Sequence, residues 1–323
     1  MLPQLLASTT SISNISAPFI SSYLRKLCFH PINPNKLYLS RVFEGILNPC
    51  LETGRHYVNG TNGKVHSVRV PFHEHKEMEI SDYFSALGYL LTHATSSASF
   101  TQAIHLLSCY AEWCRVSSSV LNINTPTVVQ MLFDDPNSCK SASFHTLDQY
   151  GYGNKLKFSL ASSISAGKGE GREDVRAKRI TALQSVWTHP LLYPSPVQRA
   201  HASAGIGYGR SPIEPSAELF GTPWGHCGES VSFPSMHKSI TLGRPLGTLA
   251  LNVKAMTCVI PGTNIVPVYA MPLLTSLADM VEILKISGAL RPMCLNCLYL
   301  RNTAGGCIQD HAVKFSTFAD DAG

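Results

Sequence analysis

The sequence predicts an α/β protein in which a mostly helical stretch, residues 1–190, precedes a strand-and-helix domain, residues 191–323. Three observations lead there. Hydrophobic residues make up 44% of the 323 and charged ones only 15%, so the chain can fold away from water, and its length suits two domains of about 100–200 residues each. Apolar residues before position 190 recur at spacings of three and four, the period of a helix with one buried face. Beyond it, alternating strand-like and helix-like segments indicate a sheet layered with helices.

Taken in order, the first 43 residues contain no acid, are rich in Ser and carry Arg25, Lys26, Lys36 and Arg41. That composition suits a mitochondrial transit peptide. The simpler reading is a Ser-rich tail leading into the first helix, because Pro18 interrupts Ile15 to Ile20 and no clear amphipathic helix precedes it. Glu79 to His93 places Ile80, Tyr83, Phe84, Leu87, Leu90 and Leu91 on one helical face. His73, Glu74, His75 and Glu77 just before it are expected to be a solvated lead-in, with a metal role for His73 and His75 as the alternative. Phe100 to Val116 is a second packing helix, through Ile104, Leu107, Tyr110 and Trp113. Arg172 to Trp187 is a third: Val175, Ile180, Leu183 and Val186 lie on one side, and a basic cluster of Arg172, Arg176, Lys178 and Arg179 lies on the other. His189 and Pro190 stop it. The preceding AGKGEGR, Ala166 to Arg172, lacks the early Gly and the Ser or Thr after Lys that a phosphate loop requires, and reads as a linker.

Past a boundary near residues 190–200 the texture changes to Pro, Gly and β-formers. Thr248 to Ile260 alternates Leu249, Leu251 and Val253 with Asn252 and Lys254, a strand closed by Pro261 and Gly262. Asn264 to Met271 is a candidate second strand, placed at an edge by Pro267. Leu274 to Ile286 returns to helical spacing through Leu277, Met280, Ile283 and Leu284, and Ser287 with Gly288 ends it.

Composition also excludes. No run of 18 apolar residues occurs, so no membrane partner is expected. Ten cysteines in so long a chain are too sparse for a disulfide scaffold, which makes an intracellular compartment, cytoplasmic or nuclear, the expectation. The net charge of +5 is too mild to demand a polyanion. Cys28, Cys50, Cys109, Cys114 and Cys139 sit among apolar neighbours as small buried hydrophobes, whereas Cys227, Cys258, Cys294, Cys297 and Cys307 crowd the last hundred residues.

Two pieces there carry chemistry: WGHCGES, Trp224 to Ser230, and RPMCLNC, Arg291 to Cys297. A zinc ion that activates water needs three protein ligands, an open position and a nearby carboxylate that moves protons. Cys227, Cys294 and Cys297 supply three thiolates, and Glu229 the carboxylate. A ligand and a Glu two residues apart at the start of a helix can aim one group at the metal and the other at its water. Two cysteines three apart in the first turn of a second helix grip the same ion, where the helix dipole favours thiolate. A rival grouping, Cys294, Cys297, Cys307 and His311, has the spacing of a closed four-ligand structural zinc site and would make the domain a binding module.

The order of a Cys-x-Glu element followed by paired cysteines resembles the zinc-dependent cytidine deaminase-like superfamily. More narrowly, Trp224, Gly225, Cys227 and Glu229 match the WGNCAET-type motif of fungal predicted deaminases, and Cys294, Asn296 and Cys297 match their Cys-x-Asn-Cys element. The similarity covers about residues 200–300. His226 stands where that motif has Asn, Gly228 where it has Ala, and Met293 separates Pro292 from Cys294. The resemblance implies a three-layer α/β/α domain, Zn2+ on the three cysteines, Glu229 as proton shuttle, and deamination of cytosine in a nucleic acid or nucleotide. Trp224 is then a candidate base-stacking residue, with a core role as the alternative, and His226 a candidate substrate or phosphate contact, with a surface histidine as the alternative. An inactive deaminase-like interaction protein shares the same fold expectation.

Overall fold

The longer helices carry an apolar stripe, and three of those described begin at a side-chain cap. The computed structural model describes residues 16–30, 35–60, 63–73, 76–95, 98–134, 156–165, 171–186, 225–237, 239, 246–257, 266–271, 275–294, 297 and 308–310. Near the start lie α1 (Ala17–Cys28), α2 (Lys36–Val42), a π-helical turn over Phe43–Leu47, and α3 (Asn48–Thr53), which ends at Gly54 with φ +65°. Asp82 caps α4 (Tyr83–Ala94) by accepting from the Ser85 amide at 2.9 Å. Ser99 and Gln102 form a reciprocal capping box at the start of α5 (Phe100–Leu121). The acids Glu173 and Asp174 occupy the positive end of α6 (Arg172–Val186). The short α7 (Glu229–Ser235) contains Pro234 in its last turn, and α8 (Leu277–Ile286) is capped by Ser276.

Strands depart from expectation in the first half. β1 (Val68–His73) and β2 (Lys76–Ile80) pair antiparallel, so His73 and Glu77, expected in a helical lead-in, lie in strands, and α4 begins at Tyr83 rather than Glu79. Lys76, Glu77 and Glu79 alternate with Met78 and Ile80, a period of two that the helical spacing beyond Ile80 obscured. The main sheet has the order β4 (Phe158–Ser162), β3 (Val128–Asp134), β5 (Leu246–Asn252) and β6 (Leu290–Arg291). Its neighbours on that path are antiparallel, and β7 (Ile308–Asp310) pairs parallel to β5. β3 sits between β4 and β5, so the sheet crosses the expected boundary at residues 190–200. β5 stops at Asn252, before a 3₁₀ turn over Ala255–Thr257. Val268–Ala270, inside the expected second strand, is also 3₁₀; residues 258–265 lie outside the described set.

Both faces of the sheet are buried. Val129, Met131 and Phe133 of β3, with Leu249 and Leu251 of β5, enter the large core built on α4, α5 and α8. Leu132, pointing the other way, enters a second cluster with Leu183 of α6, Phe233 of α7, Met236, Leu246, Met293 and Cys297. The free edge of β4 is covered by α4: Leu160 donates its amide to Thr92 Oγ1 at 2.9 Å. Helices on both faces of a mixed sheet make the chain α/β. Cys28, Cys50, Cys109 and Cys114 are buried as expected, and burial pushes the Cys28, Cys50 and Cys109 thiols up to about 12. Cys139 lies outside the described residues. No helix among those described is long and apolar enough to cross a membrane.

Candidate metal centre

Three cysteines remote in sequence converge. The sulfurs of Cys227, Cys294 and Cys297 all lie within 4.8 Å of one another, and Cys227 Sγ is 3.0 Å from Cys294 Sγ. That separation exceeds the roughly 2.05 Å of a disulfide, and all three are free thiols. A tetrahedral ion with Zn–S bonds near 2.3 Å spaces its sulfurs about 3.8 Å apart, inside the 4.8 Å limit within which the three sulfurs lie. Topology explains the meeting. β6 runs antiparallel to β5, so the chain leaving Arg291 heads toward Leu246 at the start of β5, where Met293 and Cys297 pack. Cys227 reaches the same cluster from the loop ahead of α7.

The group can hold a metal ion, and its electrostatics ask for one. The Cys294 sulfur, burial and the Glu229 carboxylate together push the Cys227 thiol well above its ordinary range, against a lowering contribution from Cys297. Cys297 rises likewise through Cys227, Cys294, burial and Glu229. The Cys227 and Cys297 thiols therefore give up their protons more readily once a cation compensates the charge. Glu229, the first residue of α7, is 5% exposed, and its carboxylate acts through space on both thiols.

The ligand loop is held by close backbone packing. Gly225 has φ +82°, and a Cβ there would lie 2.9 Å from Arg176 Cγ. A Cβ on Gly228 would meet Gln130 Cγ at 2.9 Å and the Ala161 carbonyl oxygen at 3.2 Å, so α7 lies directly on β3 and β4 where the fungal motif carries Ala. Gln130 donates from Nε2 to Ser232 Oγ across the same contact. The Cys227 carbonyl accepts from Ser230 Oγ at 2.5 Å and the Ser230 amide at 3.2 Å, and Ile164 donates its amide to the His226 carbonyl at 2.8 Å.

α6 lines the outer side of this loop with arginines, and two members of its basic cluster are buried: Arg176 is 3% and Arg179 4% exposed. Arg172 Nη2 donates to His226 Nδ1 at 3.1 Å. Arg179 Nη1 donates to the carbonyls of Ser162 at 3.0 Å and Cys227 at 3.4 Å, while its Nη2 reaches Ser85 Oγ at 2.7 Å and Asp82 Oδ2 at 3.3 Å. His226 is itself buried and not a surface histidine. Burial, then Arg172, Arg176 and Arg179, push its pKa down to about 4, so the ring is neutral. A guanidinium only donates, which assigns the acceptor role to Nδ1 and the proton to Nε2.

Sequence reasoning brought together Cys227, Glu229, Cys294 and Cys297, and missed Arg172, Arg176, Arg179 and Asp82. A signal was present: Arg172, Arg176, Arg179 and Leu183 follow one another at four, three and four, the period of a buried stripe. A small cavity beside α7 is walled by Asp82, Ser85, Arg179, Ser230 and Val231, with no cysteine among its lining. Trp224, Cys258, Asn296, Cys307 and His311 lie outside the described residues, and so do the alternative closed site and the stacking role they carry. His73 and His75, the alternative metal pair, have no described side-chain placement. No protein-family model, curated protein or solved structure matches the chain.

Proposed function

We propose that the chain is a zinc-dependent deaminase that hydrolyses the exocyclic amine of cytosine in a nucleic acid or nucleotide, giving uracil and ammonia. The observation that carries the reading is the meeting of Cys227 with Cys294 and Cys297, across more than 60 residues of chain, with the buried Glu229 two residues beyond Cys227. Three thiolates fit a borderline-soft divalent ion, and among the described residues they leave a tetrahedral site one vertex short, the arrangement of a catalytic rather than a structural zinc. When bound, zinc supplies a water acidified to near-neutral pKa and an electrophile for the developing charge.

The protein's own groups do the rest. Glu229, fixed at the first turn of α7, accepts the proton of the attacking water and passes it to the departing amine as the C–N bond breaks. Its buried position keeps that proton from bulk solvent. Cys227, Cys294 and Cys297 would hold the ion, and the carbonyl of Cys227 is pinned by Ser230 and Arg179 so that its sulfur keeps one direction. The choice of cytosine, and of a nucleic acid or nucleotide as its carrier, comes from the motif resemblance; the net charge of +5 neither supplies nor opposes it.

The test is uracil formation from single-stranded DNA, duplex DNA, RNA and free cytidine by zinc-loaded protein. Turnover is expected on at least one, and Glu229→Gln should retain zinc while losing about 10²–10⁴-fold in rate. Full turnover by a zinc-loaded Glu229→Gln variant contradicts the assignment.

A further inference from the structure

We propose that α6 is a splint for the metal-ligand loop and that Arg179 is its positioning residue, transmitting the fixed cap of α4 to the backbone of Cys227. This rests on the reading that Cys227, Cys294 and Cys297 bind a metal.

The pattern is one helix face reading one loop, residue against residue. Arg172 bonds His226, Arg176 packs on Gly225, and Arg179 bonds the Cys227 carbonyl. Spacings of four and three put these side chains in a single stripe of α6. Arg179 differs from the other two because its fork has two anchored ends. One end holds the carbonyls of Ser162 and Cys227; the other holds Ser85 Oγ and Asp82, whose carboxylate also accepts from the Ser85 amide and hydroxyl. Burying a guanidinium is costly without a countercharge, and the Asp82 carboxylate at 3.3 Å supplies it; Nη1 and Nη2 carry the hydrogen bonds, and Nε makes none among the described residues. The consequence is mechanical. The Cys227 carbonyl is fixed by Ser230 from inside the helix turn and by Arg179 from outside it. That carbonyl's direction sets where the Cys227 side chain departs and where α7, with Glu229, begins. Groups that orient metal ligands from outside the ligand shell are commonly worth about 10–100-fold in metal affinity.

The test measures zinc affinity by chelator competition, and the cobalt(II) absorption spectrum, in wild type, Arg179→Gln, Arg179→Lys, Asp82→Asn and the Arg179→Gln/Asp82→Asn double variant. Circular dichroism and Tm of the metal-free chains are recorded alongside. Arg179→Gln should weaken zinc binding by about 10–100-fold and reduce the thiolate-to-cobalt charge-transfer band. Asp82→Asn should weaken it less, and the double variant no further than Arg179→Gln, because Asp82 acts through Arg179. Arg179→Lys keeps the charge but cannot span both ends, and should fall nearer Gln than wild type.

Unchanged affinity in Arg179→Gln overturns the splint. Wild-type affinity in Arg179→Lys beside a loss in Arg179→Gln assigns the effect to charge and overturns the positioning role. Should Arg179→Gln not fold, Asp82→Asn and Ser85→Ala carry the test, and zinc affinity unchanged in both overturns it. A wild-type chain that binds neither zinc nor cobalt defeats the metal reading itself, an outcome separate from those in which wild type binds and the variants match it.

Discussion

Gly225 and Gly228 flank Cys227 and limit what the ligand loop can become. At Gly225 a side chain meets both an unfavourable φ of +82° and the Arg176 backbone oxygen 3.0 Å from its Cβ. At Gly228 φ is −60°, so the cost of a methyl there is steric alone. Gly225→Ala should therefore lower Tm more than Gly228→Ala, whose overpacking against Gln130 and Ala161 costs about 1–3 kcal/mol. Thermal melts of the two variants check the order, and equal Tm values would contradict it. The thiols make a second forecast. Cys227 and Cys294 are half-buried, whereas Cys28, Cys50, Cys109 and Cys114 are buried. Maleimide labelling of the native chain, mapped by mass spectrometry, should reach the first two ahead of those four, and zinc should suppress it. At this scale the cysteines and Glu229 were legible because metal chemistry restricts residue type and spacing. The arginines were not, because a buried stripe and a solvated stripe share one period and only tertiary contact tells them apart.

Among the elements, α5, α6 and α8 follow from apolar spacing with errors of a few residues, and each begins where a cap or a pair of acids stands. The strands of the first half were harder to see. β4 has five residues, two of them serine, and β3 is a continuous run buried on both faces, a pattern shared with short helical segments. Yet β3 is the element on which the site depends. Its odd-numbered residues fill the main core, while Leu132 supports the wall behind the cysteines. Leu132→Ala should cost about 2–5 kcal/mol in chemical denaturation, and should also weaken zinc binding because Met293 and Cys297 share its cluster. A destabilised chain with undisturbed zinc affinity would separate the second core from the metal site.

For the molecule as a whole, the sequence gives no direct sign of which strands pair. β3 and β5 are more than 110 residues apart, and their pairing joins what composition divides near residue 190. The three-cysteine cluster is a product of that closure: one cysteine arrives ahead of α7 and two arrive after β6. Folding also fixes several histidines as neutral rings. Burial pushes His93 down to about 4 and lowers His56 and His105 as well. Below the ordinary histidine pKa of about 6.5, the unfolded chain binds protons at these rings that the folded chain refuses. Stability is therefore fully present above that value and is lost as pH falls toward 4. The Tm of the metal-free chain should drop between pH 7 and pH 5, and His93→Gln should make the drop shallower; an identical slope in the variant would contradict this.

Whether the distant sulfurs share one ion is decided most directly by the zinc content of purified single cysteine variants. The account predicts about one zinc per chain in the wild type and in Cys307→Ser, and its loss in Cys227→Ser, Cys294→Ser and Cys297→Ser. Zinc retained in full by Cys227→Ser and lost in Cys307→Ser would contradict it.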